Sequence, residues 1–413
     1  MSETQTPTKA TLWVIVASAT LTIMAGAILG PVVPQIQSGL GVSESLAGLI
    51  ITTHAAFIVL TSPIAGALVD RFGPRRPYVF GLFLYAVGGS AGLFIDAFVP
   101  LLLSRAVLGV GVAFVYTGIT VLIFDLYEGQ RMDRALGLRS GANSFGGATW
   151  PVVGGLLGTI SWQLPFGVYL VAIPLALLAI ATVPPTGRGS AAHGRSAGEA
   201  KRTDSARSLD GSASVVSIVR RRPALPFVYL LYFGANALLF AIVVFYPQLL
   251  ATIGVTSSSY IGLYLAANGI AGGVSGVLYD RLNRRFGRHL LVLVAFAFWT
   301  AAFALATRAG SPLSALPPVV LFGLGLGLVF PSSFAWIESL APTSRQGQFG
   351  SYLATFGYVG QFLSPIVFGP IVTAFGVRGV FGAATLAAAL GVGAITLALA
   401  RRNSVEYRLR KVR

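Results

Sequence analysis

The chain has 413 residues, 55% hydrophobic and only 10% charged, with a mean hydropathy of +0.78. A soluble protein carries roughly a quarter charged residues, so a water-covered globule is excluded and the solvent is mostly lipid. Cysteine is absent, there are three histidines and the net charge is +16, which excludes disulfide and thiol chemistry and provides no cluster for a structural metal.

Residues 1–10 are polar with one lysine, Lys9. The apolar run from Leu12 to about Pro34 is too long for a signal-peptide core, although Ala25-Gly26-Ala27 also reads as a cleavage site. It is taken as a first spanning helix. Further runs of spanning length lie near 44–68, 77–95, 99–123, 136–160 and 164–183, then 224–250, 257–279, 289–307, 313–337, 348–373 and 378–400. The reading is an all-α membrane protein with twelve transmembrane helices in two pseudo-symmetric six-helix bundles. The expected domains are 1–183, a flexible cytoplasmic linker at 184–222 rich in Gly, Ser and Arg, and 223–413 with a basic tail.

Lys and Arg set the topology. With the N-terminus inside, every one of them falls on inner ends except Arg105, which lies within a run, and Arg308 and Arg378. The inner set includes Arg131, Arg134 and Arg139 at the inner end of the fifth run. Both termini are therefore expected to be cytoplasmic, in a multi-pass protein of the cell membrane. The positive charge is a topogenic signal, and a nucleic-acid partner is not expected.

The two sets of six repeat one another. Gly66-x-x-x-Asp70-Arg71-x-Gly73-x-Arg75-Arg76 between the second and third runs has a degenerate copy, Gly276 to Arg288, containing Asp280, Arg281 and Arg285. Gly109 and Gly111 match Gly323 and Gly325, 214 residues on. At the same offset Gly146 matches Gly360, Pro151 matches Pro365 and Gly155 matches Gly369. Parallel repeats of this kind place a site near the bilayer midplane, in the cleft between bundles.

These motifs resemble the major facilitator superfamily of secondary transporters over the whole chain. The Gly66–Arg76 loop resembles that superfamily's signature, and Arg105-x-x-x-Gly109-x-Gly111 resembles a second one. Gly146-x-x-x-Trp150-Pro151-x-x-Gly154-Gly155 is similar to the fifth-helix antiporter motif of the drug and solute efflux branches, with Trp150 where the family usually has Gly. Residues 12–34 lack the acid found in the first helix of many drug–proton antiporters.

The resemblance implies a gate. Asp70 would face the start of the eleventh helix near Gly347, Asp280 the start of the fifth near Leu136, and helix dipoles there favour an anion. Arg71, Gly73, Arg75, Arg76, Arg281 and Arg285 belong to the same switch, with Asp125, Arg134, Glu338 and Arg345 as further members or ordinary loop charges. Arg105 and His54 are ionisable groups inside spans, which are costly and point to function. Arg105 reads as a snorkelling, structural or substrate-anion residue. His54 reads as a neutral, hydrogen-bonded side chain or as a proton carrier. Tyr116, Asn143, Tyr232, Asn236, Tyr264, Asn268, Tyr358 and Gln361 are candidate cavity residues. Gly146, Pro151, Gly154, Gly155, Gly360 and Pro365 allow close packing and bending.

The expected activity is secondary transport of a small organic solute by alternating access, with proton-coupled efflux, or as an alternative uptake of an organic anion against Arg105. No cofactor is expected, and the usual form in the superfamily is a monomer. A membrane-embedded enzyme would need a catalytic constellation and an ATP-driven pump a phosphate loop; the sequence has neither.

Overall fold

The structure, a computed structural model, describes residues 8–185, 215–222, 224–342 and 345–411. The described residues are helical and loop, with no strand. The first half of the chain folds as α1 (Lys9–Ala27), α2 (Val33–Leu40), α3 (Glu44–Phe72), α4 (Arg75–Ser90), α5 (Phe98–Leu126), α6 (Gly129–Gly158), α7 (Leu164–Gly167) and α8 (Ala172–Thr182). The second half follows with α9 (Val215–Arg221), α10 (Ala224–Thr252), α11 (Ser258–Phe286), α12 (Arg288–Arg308), α13 (Leu316–Leu340) and α14 (Gln346–Lys411). Most of the linker expected at 184–222 lies outside the described residues, but its last part is the helix α9 rather than unstructured chain.

Among the described residues, nine stretches are long and apolar enough to cross a bilayer: Lys9–Leu40, α3, α5, Leu164–Thr182, α10, α11, α12, Leu313–Leu340 and Gln346–Thr396. Several run boundaries differ from the hydropathy reading, each for a local reason. The first run breaks into α1, a 3₁₀ turn and α2, where Pro31 and Pro34 lack the N–H that would continue the helix. The sixth breaks at Gly167–Val171 after Pro165. The fifth begins at Gly129, seven residues before position 136, so Arg131 and Arg134 are helical and Arg139 lies in the third turn rather than the first. The last two runs are continuous except at Gly376, whose φ of 67° interrupts α14.

The duplicated loop motif has the same backbone in both copies. Gly73 ends α3 at φ 78°, ψ 160°, and Gly287 ends α11 at φ 76°, ψ 152°. Each glycine N–H donates to the carbonyl four residues back, Val69 and Asn283, at 2.9 Å. A side chain at this φ and ψ is strained by about 1–3 kcal/mol. Gly73→Ala or Gly287→Ala should therefore lower the melting temperature of the detergent-purified protein by a few degrees; an unchanged melting curve would refute the strain.

Packing follows the same repeat. A Cβ on Gly109 of α5 would collide with the His54 carbonyl of α3, and one on Gly323 of α13 with the Asn268 carbonyl of α11. His54 and Asn268 are themselves 214 residues apart. Where lipid is as apolar as a helix surface, helices associate by close approach of this kind.

Candidate functional site

The site is the seam between the two halves of the chain. Two crossings form it, α3 against α14 and α6 against α11, with α10 against the α1–α2 turn between them. At one end they are tight. A Cβ on Gly155 of α6 would strike the Ser258 carbonyl of α11, and one on Gly262 would strike the Pro151 carbonyl. Ser258 Oγ donates to the Gly155 carbonyl at 2.8 Å. The counterpart crossing places Pro365 Cβ 2.9 Å from a Cβ built on Gly48, and Ser45 Cβ 3.0 Å from one built on Gly369. Gly154 meets Ile28 of the interrupted first helix, and Gly360 meets the Phe233 carbonyl of α10.

Towards the other end the helices separate. The last close approach of α6 and α11 there is Gly269 to the Gly147 carbonyl, 2.6 Å from a built Cβ, and Gly273 reaches Ser144 only at 4.0 Å. Beyond it, Gly137 and Gly141 of α6, Gly66 of α3, and Gly347 and Gly350 of α14 have nothing within 4 Å of a built Cβ. The end that carries Asp70 and Asp280 is open, and the opposite end is closed.

Both gate carboxylates stand at the open end. Asp70 and Asp280 are exposed near the ends of α3 and α11 and make no ion pair among the described residues; Gly347 has open space where Asp70 was expected. Arg71 and Arg285 lie over the neighbouring Phe72 and Phe286 rings, each at 5.3 Å, while Arg76 and Arg281 are exposed. Arg75 instead donates to the Ile180 carbonyl of α8, and Arg288, at the start of α12, to Ser339 Oγ at 2.8 Å. These two arginines fasten helices within their own halves. Asp125 is half-buried and Arg134 exposed, with no pairing between them. Glu338 accepts at its backbone carbonyl from Gln346 Nε2 at 3.0 Å, and the Arg345 N–H bonds the Pro342 carbonyl.

Of the three readings of Arg105, the structure supports the structural one. Arg105 is fully buried, and Nη2 donates to the Ala25 carbonyl at 2.6 Å and to Tyr169 Oη at 2.9 Å. Its guanidinium lies 4.9 Å from the Tyr169 ring and 5.8 Å from Phe166. Tyr169 Oη donates in turn to the same Ala25 carbonyl. Arg105 thus clamps the end of α1 inside the first half and offers a solute no exposed surface. The Tyr264 hydroxyl donates to the Pro312 carbonyl at 2.6 Å, in the loop before α13.

His54 is buried and Nδ1 donates to the Ile51 carbonyl at 2.6 Å, which leaves Nε2 as the acceptor nitrogen. A Cβ built on Gly26 would be 3.2 Å from both His54 Cε1 and the Phe240 ring, so α1, α3 and α10 meet at this histidine. Asn268 is buried with Oδ1 beside Gly323 and no hydrogen-bond partner among the described residues. Gly146 packs on Trp150, whose Nε1 donates to the Thr20 carbonyl at 3.1 Å.

The remaining candidates converge. Gln361 Nε2 donates to Asn236 Oδ1 at 3.1 Å, and Asn236 Nδ2 to the Tyr232 carbonyl at 2.8 Å. Tyr232 packs on Phe330 and Phe334 of α13 at 5.2 and 5.6 Å. Tyr358 of α14 lies near Tyr232 and, across the seam, near Tyr116 and Arg139. Asn143 is one turn beyond Arg139 on α6, with a buried Oδ1 that lacks a partner among the described residues. Arg139 is the residue the sequence reading missed as a site residue, having counted it only as a topogenic charge at the inner end of the fifth run. The spacing 139, 143, 146, 150 was the available signal, because it places Arg139 on the face that continues through Asn143, Gly146 and Trp150.

Comparison with known proteins agrees with this geometry. The sequence profile of the Major Facilitator Superfamily matches residues 15–365. The chain is 28% identical to multidrug resistance protein 1 of Bacillus subtilis (strain 168), over 94% of this chain and 96% of that protein. It is 26% identical to the multi-drug resistance efflux pump PmrA of Streptococcus pneumoniae serotype 4, over 87% and 88%. Among solved structures, a bacterial homologue of the human lysosomal transporter Spinster, in an inward-facing and occupied conformation, superposes with a TM-score of 0.75 at 17% identity, over 94% and 96% of the two chains.

Proposed function

The chain belongs to the Major Facilitator Superfamily, and on that premise we propose that it exports a small organic amphiphile by alternating access, coupled to protons. It is an integral membrane protein and a secondary transporter. On this reading α4, α6 and the segment after Gly376 add three crossings to the nine spans. The twelve crossings form two pseudo-symmetric six-helix bundles, 1–183 and 223–413, joined by 184–222. Both termini face the cytoplasm, which puts the open end of the seam inside, and the working unit is a monomer.

The observation that carries this reading is the reciprocal crossing of α3 with α14 and α6 with α11, tight at one end and parted at the other. Such a seam exposes a central site to one side at a time. Outward transport is supported by the relatives named for multidrug resistance. His54, placed where three helices meet, is the proposed proton carrier. Asp70 and Asp280, with their neighbouring arginines, are the proposed latches of the inner end.

The test is a screen of fluorescent amphiphiles in proteoliposomes, with and without an imposed proton gradient, read in both directions. Efflux that accelerates with an inward proton gradient is expected, and His54→Gln should remove the acceleration. Flux indifferent to the gradient would refute proton coupling.

A further inference from the structure

Building on the transport reading, we infer that Arg139, with Tyr116, Thr120, Tyr232 and Tyr358, forms a subsite for an anionic head group, so that the transported amphiphiles carry a carboxylate or sulfonate.

Arg139 lies in the third turn of α6 and is half-buried. Its Nη1 donates to Thr120 Oγ1 at 3.0 Å, and its guanidinium lies 4.9 Å from the Tyr116 ring. The Thr120 hydroxyl proton is used on the Tyr116 carbonyl at 2.8 Å, so Thr120 meets Arg139 as an acceptor. One of five guanidinium N–H donors is thereby satisfied among the described residues. α5 thus holds the guanidinium from one side. From the other half of the chain, Tyr232 and Tyr358 come near the same place. All four aromatic and cationic side chains are half-buried, as lining residues of a gap are.

No carboxylate answers this charge. Among the described residues every Asp and Glu lies in a loop or within two turns of a helix end, and none pairs with Arg139. A partly dehydrated cation without a counter-ion favours an anion in its place. A planar guanidinium with free N–H groups binds a carboxylate or sulfonate through paired hydrogen bonds. The tyrosine rings supply apolar faces for the body of an aromatic amphiphile, and their hydroxyls add donors. A cationic amphiphile would meet repulsion from Arg139 and no compensating acid.

The experiment is equilibrium binding of 2-naphthoate and of its size-matched cation, 2-naphthylmethylammonium, to the purified full-length protein. The wild type should bind the naphthoate about tenfold or more tightly than the ammonium. Arg139→Gln should weaken naphthoate binding by about the same factor without weakening the ammonium. Arg139→Lys, which keeps the charge but not the fork, should recover part of the loss. Melting temperatures of both variants check that they are folded. Equal affinity for the two ions, absence of naphthoate binding, or naphthoate binding unchanged in Arg139→Gln would each overturn the assignment. Flux of naphthoate through vesicles is measured separately. Binding that needs Arg139 without flux in the wild type would remove the transport reading and keep the subsite.

Discussion

Ser45→Cys combined with Gly369→Cys is expected to form a disulfide under mild oxidation and to stop transport until a reductant is added. A Cβ at position 369 lies 3.0 Å from Ser45 Cβ, and a disulfide prefers about 3.8 Å, so α3 and α14 need part by less than about 1 Å. The chain has no cysteine of its own, so no competing pair forms. The bond would pin the closed end of the seam, the end that must open when the other closes. Mass spectrometry reports the cross-link, and proteoliposome flux with and without dithiothreitol reports the consequence. Cross-linked protein that transports at the wild-type rate would show that this end does not move.

Asp70→Asn together with Asp280→Asn should reduce transport to a tenth or less while the protein remains folded. Both carboxylates are exposed and make no ion pair among the described residues, so the state seen here does not depend on them. Their contribution belongs to the state in which the open end has shut and each meets a helix start. An anion at a helix N-terminus is worth about 1–2 kcal/mol in a partly buried setting, so losing both lowers the population of the shut state on the order of thirtyfold or more. The single variants should each have a smaller effect. Melting temperature checks the fold, and initial flux checks the function. Normal flux in the double variant would remove the latch.

The repeat was legible because it is written in residues with few substitutes. Gly73 and Gly287 need a positive φ. Gly109 and Gly323 allow backbone contact, and so do Gly155 and Gly262 on the α6–α11 crossing. These show in sequence as fixed offsets. Arg139 was hidden for a physical reason. Hydropathy reports the bilayer rather than the helix, so it began the fifth element near 136 and missed the polar turns from Gly129. An arginine three turns into the helix then looked like a charge at its inner end. Arg105 was ambiguous for another reason. α5 is apolar all round, and lipid matches a protein interior in polarity, so no periodicity says which face is inward. Its buried clamp on Ala25 needs Tyr169 and the interrupted end of α1, which are distant in sequence.

The backbone contact of Gly155 with Ser258 also has a mechanical meaning. It lies three residues from one end of α6, and the helix continues unbroken by any turn back to Gly129. At about 1.5 Å per residue that arm is roughly 39 Å long, so a tilt of about 10° at the contact carries the far tip by roughly 7 Å. While this end stays shut, α6 is a lever pivoting at the contact, and a small tilt there becomes, at the far tip, a displacement wide enough to admit a solute.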